Sequence, residues 1–289
     1  MLIVLLLISC LQSQEKFTGN VDVGALSCVR GPYLQIGTPH SIIIRWKTNA
    51  GTDSRLRYGM NSTNLDLWVD ILSLKTEHEV TLKDLVPNTK YFYSVETTME
   101  VLSSGPDQYF VTAPPIGTKK KSRIWILGDS GTANENAVAV RDAFYKLSEN
   151  THTDLWVMLG DNAYSSGTDA EYQTAVFNMY PNMLKKSVLW PAFGNHDSYS
   201  ANYKPQTGVF YDVFTLPTNA EAGGSASGTE AYYSFDYANI HFICLNSHDI
   251  DRSVKGEMCS WLQDDLHATN QDWVIAYWHH PAYTKGSHD

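Results

Sequence analysis

The sequence predicts two domains, an N-terminal all-β sandwich followed by an α/β domain. Residues 29–115 contain short runs of alternating polar and apolar residues between turn residues, with no helical period. After Ser122 the pattern changes to apolar strands that alternate with amphipathic helices, which is typical of α/β sheets. Between them, residues 112–121 contain adjacent prolines and a lysine run, which favours an extended linker.

In the N-terminal domain, the clearest strands are predicted at residues 41–48, 55–58, 77–82 and 91–95. Strands at this spacing predict an antiparallel sandwich. Residues 85–91 are similar to the turn before the sixth strand of fibronectin type III domains. We therefore expect the Tyr91 hydroxyl to bond to the backbone and fix this corner, which is a structural role.

In the α/β domain, strands are predicted at residues 124–127, 155–159, 188–193, 240–245 and 273–278. Helices are predicted at residues 134–148, 171–180 and 258–267. The apolar face of the first helix is predicted to contain Ala137, Val140, Ala143, Phe144 and Leu147. In sheets of this kind, functional residues collect at the carboxyl ends of the strands.

The charge of the chain limits its partners. Its formal net charge is -10 and no basic face is visible, which argues against a protein that binds nucleic acid through phosphate contacts. An anionic substrate would need a local positive source, and a bound metal cation is the obvious candidate.

Residues 1–13 begin with an apolar run followed by small and polar residues, which predicts a secretory signal peptide although a positive start is missing. A buried N-terminal strand is the alternative. Residues 7–10 also resemble a bacterial lipobox, which would place a lipid on Cys10. We therefore expect an extracytoplasmic protein, secreted or tethered to the cell envelope by a lipid, with no membrane span. The remaining cysteines, Cys28, Cys244 and Cys259, are expected to be buried free thiols.

Four predicted strands end in a potential metal ligand. These ligands are Asp129 in Asp-Ser-Gly, Asp161 in Gly-Asp-Asn-Ala-Tyr, Asn195 in Gly-Asn-His-Asp, and His279 in Ala-Tyr-Trp-His. A single aspartate after a strand commonly caps the following turn. Four such ends in order, three of them beside a glycine, favour a metal site, because glycine allows a sharp turn that brings a side chain close to an ion.

Two metal ions about 3.5–4 Å apart require a bridging ligand, and a carboxylate can supply it. Asp161 suits that role because further ligands flank it in sequence. Tyr164, three residues beyond, would bind as a hard phenolate, which requires a strong Lewis acid such as ferric iron. His279 and the amide oxygen of Asn195 suit a softer divalent ion.

In this order, the motifs DxG, GDxxY, GNH followed by an acid, and a strand-end histidine resemble the metallophosphoesterase signature. The tyrosine within GDxxY is typical of the purple acid phosphatases. The strand-rich first domain is similar to the fibronectin type III-like domain that precedes the catalytic domain in that branch. The resemblance predicts a purple acid phosphatase N-terminal domain at residues 20–114 and a metallophosphoesterase domain at residues 122–289.

The resemblance also implies the metal ligands. Asp129, Asp161 and Tyr164 would hold ferric iron, while Asp161, Asn195 and His279 would hold zinc, manganese or a second iron. His279 is preferred to the adjacent histidine because the family has a proline two residues after its ligand, as this chain does.

Two histidines are expected to act on the substrate. His196 would bind a phosphate oxygen or protonate the leaving alcohol. His288 resembles the active-site histidine that relatives carry on the corresponding loop. Asp197 is expected to orient a histidine.

The chain departs from the family in two places. Ala276 stands where the family usually has valine, which changes packing and leaves the ligand intact. The last family motif, GHxH, supplies one ligand to each metal and does not occur here. We therefore expect a catalytic domain that is incomplete at its C-terminus, with a degenerate relative as the alternative.

The expected activity is that of an acid phosphatase, metal-assisted hydrolysis of small phosphate monoesters. The metal core does not distinguish monoesters from diesters, so a phosphodiesterase of the same superfamily is one alternative. A non-catalytic relative that binds a partner at a surface is the other.

Overall fold

A computed structural model of the chain describes residues 24–149 and 151–285. Its N-terminal part contains the strands β1 (Cys28–Gln35), β2 (Ile42–Gly59), β3 (Leu67–Leu82), β4 (Lys90–Glu96), β5 (Val101–Ser103) and β6 (Tyr109–Val111). Every pairing among them is antiparallel, which confirms the predicted all-β domain. The predicted signal peptide at residues 1–13, including Cys10, lies outside the described residues.

The strand β2 changes partners along its length. Before a register shift between Lys47 and Thr52 it pairs with β1 and the end of β3, and after that shift it pairs with the beginning of β3 and with β4. The prediction of two separate strands at residues 41–48 and 55–58 is therefore wrong, because both segments belong to β2. The intervening Asn-Ala-Gly is accommodated as an irregularity in the ladder, which allows β2 to pair with different strands along its length.

The corner before β4 has the predicted construction. The backbone N–H of Val86 donates to the Tyr91 hydroxyl at 3.0 Å. The buried Tyr91 ring also stacks on Phe110, with ring centroids 5.4 Å apart. The structural role predicted for Tyr91 is confirmed.

The second domain alternates strands and helices. Its first half contains β7 (Ile124–Leu127), α1 (Glu135–Ser148), β8 (Leu155–Met158), α2 (Asp169–Tyr172) with a π-helical turn (Gln173–Phe177), α3 (Pro181–Leu184) and β9 (Val188–Pro191). Its second half contains a short 3-10 helix (Asp197–Tyr199), β10 (Ala201–Asn202), β11 (Thr207–Gly208), α4 (Val209–Val213), β12 (Tyr233–Tyr237), β13 (Ile240–Cys244), α5 (Glu257–Ala268) and β14 (Trp273–Tyr277). The five predicted strands and three predicted helices are all present, with ends shifted by a few residues.

Two larger sheets form the core of this domain. The first is the parallel sheet β7-β8-β9, and in the second β13 pairs antiparallel with β12 and parallel with β14. The sheets meet where Trp190 stacks on Phe235, with ring centroids 3.7 Å apart. The Tyr233 hydroxyl also donates to the carbonyl of Pro191 at 2.8 Å. The predicted α/β domain is confirmed.

Helix α1 packs through a different face from the predicted one. Phe144 does pack, since its ring stacks on Trp125 with centroids 4.0 Å apart. However, Val140 and Leu147 are exposed, and Arg141 turns inward to donate to the carbonyl of Met179. The apolar residues of this helix cover a wider arc than its packed face, so their spacing could not identify which of them pack.

The two domains are joined by buried polar contacts. The guanidinium of Arg30 is buried, lies 2.6 Å from the Asp169 carboxylate of α2 and rests over the ring of Phe177. The Tyr33 hydroxyl donates to the carbonyl of Val213, which ends α4. Because buried polar groups require partners, these bonds fix the sandwich against the second domain.

The cysteines within the described residues are free. Cys244 is buried as predicted, whereas Cys28 and Cys259 are only partly buried, which corrects that part of the expectation. None of the helices in the described ranges has the length and apolar character needed to span a bilayer.

A buried ionic group joins the second sheet to α5. The His241 ring is fully buried between two carboxylates, with Nδ1 at 2.9 Å from Asp236 and Nε2 at 2.7 Å from Asp265. Asp265 also accepts from the Ser234 hydroxyl and the Ser225 backbone. Burial alone would lower the pKa of His241, but hydrogen bonds and charge from the two aspartates raise it to about 9.

Replacing His241 with leucine should destabilise the protein by about 3–5 kcal/mol, because the buried Asp265 carboxylate and the partly buried Asp236 carboxylate would lose their cationic partner. Because the pKa of His241 is higher in the folded state, its protonation stabilises the fold. This stabilisation is fully present below the unfolded-state pKa near 6.5 and is lost as the pH rises through about 9. Urea unfolding at pH 6.5 and pH 9.5 should therefore show the wild-type advantage shrinking at the higher pH. An advantage that does not change with pH would contradict a charged His241, and His267→Leu at an exposed helix position is the control.

Candidate metal centre

The predicted ligands lie in loops at the carboxyl ends of four strands. Asp129 follows β7, Asp161 follows β8, Asn195 follows β9 and His279 follows β14. Because β7, β8 and β9 are parallel neighbours, their carboxyl ends lie at one sheet edge. The last ligand comes from the other sheet, so the site lies where both sheets end.

The backbone at these strand ends is unusual. Asp129 and Asp161 both have positive φ angles, 52° and 50°, which are uncommon for residues other than glycine and often occur at functional sites. A Cβ on Gly160 would lie 2.8 Å from the Cβ of His279, and one on Gly194 would lie 2.2 Å from the backbone nitrogen of Asp161. Glycine thus permits the close approach that the sequence suggested.

Three of the predicted ligands converge closely. Donor atoms of Asp129, Asp161 and His279 all lie within 4.8 Å of one another. Asn195 joins them, since its Oδ1 is 3.1 Å from His279 Nε2. The four side chains line a cavity of about 610 Å³ together with Tyr164 and His196.

The orientation of His279 leaves electron-pair acceptors facing one another. Its Nδ1 is 2.9 Å from the carbonyl of Leu159, which can only accept, so Nδ1 carries the proton. In the neutral ring, Nε2 then has no proton. Its lone pair faces Asn195 Oδ1 at 3.1 Å and Asp161 Oδ1 at 3.4 Å. Acceptors that converge without a donor are the arrangement that a cation satisfies, so this donor set fits a metal.

The charges in the cluster shift its pKa values. Burial alone would raise the pKa of Asp161, but the charged form of the His279 ring, which donates from Nε2, and the His196 backbone N–H lower it to about 2. Burial would lower the pKa of His279, and the Asp161 carboxylate outweighs this and raises it. Asp161 is therefore a carboxylate over the whole neutral range.

Tyr164 reaches the same group. Its hydroxyl donates to Asp129 Oδ1 at 2.8 Å, and its ring meets that of His196 edge-on with centroids 4.6 Å apart. Burial, followed by the nearby Asp129 and Asp161 carboxylates, raises the pKa of Tyr164. In these surroundings Tyr164 would become a phenolate only if a strong cation replaced its proton.

His196 presents one ring nitrogen to the cavity. Its Nδ1 is 2.6 Å from the carbonyl of Ser165 and therefore carries a proton. Its Nε2 lies on the cavity side, 3.9 Å from Asp161 Oδ2. This nitrogen can accept a proton, and it donates one when the ring is charged. The other predicted catalytic residue, His288, lies outside the described residues.

Asp197 does not orient a histidine, so that expectation is wrong. It is fully buried and accepts hydrogen bonds from the Tyr172 hydroxyl, the Gly194 backbone and the Asn162 side chain. Burial raises its pKa to about 6. Its role is to tie the loop after β8 to the loop after β9, which holds Asp161 and Asn195 in place.

Three residues at the site were not predicted. His280, Pro281 and Thr284 line the cavity. The exposed Tyr199 also lines it, a position that the sequence allowed although it favoured simple aromatic packing there. Tyr199 packs edge-on against His196, with centroids 5.4 Å apart. The double histidine at the end of β14 was the one sequence signal that could have indicated His280.

Comparison with known proteins gives consistent matches for both domains. Residues 122–289 match the family model described as calcineurin-like phosphoesterase, and residues 29–112 match that of the purple acid phosphatase N-terminal domain. Purple acid phosphatase 15 of Arabidopsis thaliana is 26% identical over 234 residues, which cover 72% of this chain and 42% of that protein. Purple acid phosphatase 23 of the same plant is 25% identical, covering 73% and 49%. The chain thus spans about half or less of these relatives' length.

Solved structures share the fold. The purple acid phosphatase PPD1 from yellow lupin (Lupinus luteus) seeds matches with a TM-score of 0.60 at 17% identity, covering 86% of this chain and 50% of that one. PhoD matches with a TM-score of 0.57 at 14% identity, covering 86% and 62%.

Gly194→Ala should weaken metal binding about 10-fold or more, because the added Cβ forces Asp161 away from its position. Titration with Mn²⁺ followed by calorimetry measures the change. Gly128→Ala is the matched control, since its Cβ would make only ordinary contacts, at 3.5 Å and beyond, with the Leu159 side chain. Equal Mn²⁺ affinities for the two variants would argue against a metal centre that depends on this close approach.

Proposed function

The chain belongs to the calcineurin-like phosphoesterase family and carries the N-terminal domain of purple acid phosphatases, and from this membership we propose that it hydrolyses phosphate monoesters with a dinuclear metal centre. The observation that carries the proposal is the convergence of Asp161, Asn195 and His279, whose facing atoms are all acceptors when the His279 ring is neutral. The relatives' names support a phosphatase.

We assign the ligands in two sets. Asp129, Asp161 and Tyr164 would hold ferric iron, and the bond between Tyr164 and Asp129 supports their shared position. Asp161, Asn195 and His279 would hold zinc, manganese or a second iron. Asp161 belongs to both sets because its two carboxylate oxygens face different neighbours, His279 on one side and the His196 ring on the other.

When bound, the two cations would supply charge neutralisation for the phosphate and a water of lowered pKa. His196 then has two tasks that its geometry allows. Nδ1 remains bonded to Ser165, which fixes the ring, while the protonated Nε2 binds a phosphate oxygen or gives its proton to the leaving alcohol. We also propose that His288 contacts the substrate from the loop after β14.

Two further parts of the proposal concern context. Residues 1–13 would direct export, with the protein secreted or held at the envelope by a lipid on Cys10. The substrate would be a small phosphorylated molecule, since a formal net charge of -10 is not typical of a nucleic-acid-binding chain.

A second candidate has a specific observation in its favour. One relative, 25% identical over 68% of this chain, is named probable inactive purple acid phosphatase 1 of Arabidopsis thaliana. A chain that retains the fold without turnover, and binds a partner instead, is therefore the alternative.

A phosphodiesterase is distinguished from a phosphomonoesterase by comparing the turnover of p-nitrophenyl phosphate with that of bis(p-nitrophenyl) phosphate.

In a chain extended by a segment that contains GHxH, Asp161→Asn should lose most bound metal and lower monoester turnover more than about 100-fold. This loss exceeds the 10- to 100-fold that is typical when a residue supporting a metal ligand is replaced. The Asp161 carboxylate would hold both ions, so its removal should weaken both sites and leave the repulsion between the ions less compensated. Metal content by elemental analysis and turnover of p-nitrophenyl phosphate check this. Asp264→Asn, at an exposed position of α5, is the control. Near-normal metal content and turnover in Asp161→Asn would refute the assignment.

In a chain extended by a segment that contains GHxH and loaded with iron, Tyr164→Phe should abolish a visible absorption band. A phenolate bound to ferric iron absorbs visible light by charge transfer and gives a violet colour, while phenylalanine keeps the ring packing against His196. Tyr199→Phe is the control, because that ring also packs on His196 and we assign it no metal bond. A colourless wild type, or a Tyr164→Phe protein that stays violet, would show that Tyr164 is only a packed aromatic residue.

A further inference from the structure

The loop after β13, residues 246–249, lies between the two loops that carry Asn195 and His279. On one side, His248 Nε2 is 3.0 Å from the Ser198 hydroxyl, and that hydroxyl is 2.6 Å from the carbonyl of Asn195. On the other side, the Ser247 hydroxyl accepts from the backbone N–H of His280 at 2.9 Å and bonds to the Nδ1 of the same residue.

The direction of the bonds on the Ser198 side follows from proton counting. A serine hydroxyl has one proton, and the Asn195 carbonyl can only accept, so Ser198 donates to that carbonyl. His248 Nε2 must then be the donor to the Ser198 oxygen. A relay therefore runs from the imidazole through the hydroxyl to the backbone of the metal-ligand loop.

The loop itself is firmly held. Arg252 donates to the backbone carbonyls of Ser247 and His248. The fully buried Asn246 accepts from the His248 backbone and donates to Asp249. Because the polar groups of this loop are hydrogen-bonded in this way, the loop is rigid and can fix the positions of the residues that it contacts.

A rigid loop at this place could keep Asn195 and His279 at a fixed separation. Asn195 follows a strand of the first sheet and His279 follows a strand of the second, so a small slide between the sheets would separate them. Metal ligands must be held within about 0.5 Å of their working positions. We propose that His248, through Ser198, and Ser247, through the backbone of His280, are positioning residues that hold Asn195 and His279 together for the divalent ion.

This inference rests on the proposed function, which assigns Asn195 and His279 to that ion. The test titrates the full chain with Mn²⁺ and follows binding by calorimetry. His248→Phe keeps a ring to stack on His280 and removes the N–H, so its Mn²⁺ affinity should fall about 10-fold or more. In His248→Gln the amide nitrogen reaches a similar place to Nε2, so the affinity should stay within about 3-fold of wild type.

A double-mutant cycle sharpens the test. Ser198→Ala should weaken Mn²⁺ binding by itself, and adding His248→Phe should cost little more, because both changes break one relay. Fully additive losses would overturn the relay. His267→Phe, at an exposed helix position, is the matched control and should bind Mn²⁺ like the wild type. Urea unfolding of each variant separates loss of the site from loss of the fold.

The failures are distinguishable. If the wild type binds no Mn²⁺, the proposed function fails and the inference falls with it. If the wild type binds Mn²⁺ and His248→Phe binds it equally well, only the positioning role is overturned. If His248→Gln loses as much affinity as His248→Phe, the N–H relay is likewise overturned, because the retained donor then makes no difference.

Discussion

The hydrogen bond from His279 Nδ1 to the carbonyl of Leu159 joins the two sheets of the second domain where both end. It fixes the protonated nitrogen of the ring and so directs the other nitrogen at Asp161 and Asn195. Gly160 lies beneath the ring, where any larger residue would push it out. The candidate ligands Asp129, Asp161 and Asn195 follow strands of the first sheet, whereas His279 follows a strand of the second. This contact therefore sets the distance between His279 and the other three.

The sandwich domain supports the site from a distance. Arg30 holds Asp169 in the first turn of α2, and Glu171 in the same turn accepts hydrogen bonds from the backbone of Ser165 and its neighbours. That backbone segment directly follows Tyr164. A buried cation in the first domain therefore supports the loop that carries the Tyr164 phenol in the second, although none of the sandwich residues that the structure describes lines the cavity.

The strand ends at Asp129 and Asp161 could be predicted because an apolar run that stops at Gly-Asp marks both the end of a strand and a candidate ligand. The continuity of β2 could not, because a bulge and a chain reversal use the same turn residues. The packed face of α1 was misjudged because apolar residues extend beyond it. His248 carries no local motif, and its partner Ser198 is distant in sequence, so only the folded chain brings them together.

The surroundings of Cys28 and Cys244 determine how reactive these free thiols are. Burial raises the pKa of Cys28 to about 11 and that of Cys244 to about 12. At neutral pH roughly one molecule in ten thousand, or fewer, carries either group as the reactive thiolate. In the folded protein Cys28 and Cys244 are therefore poor nucleophiles, so neither should exchange readily with thiols or disulfides in its surroundings.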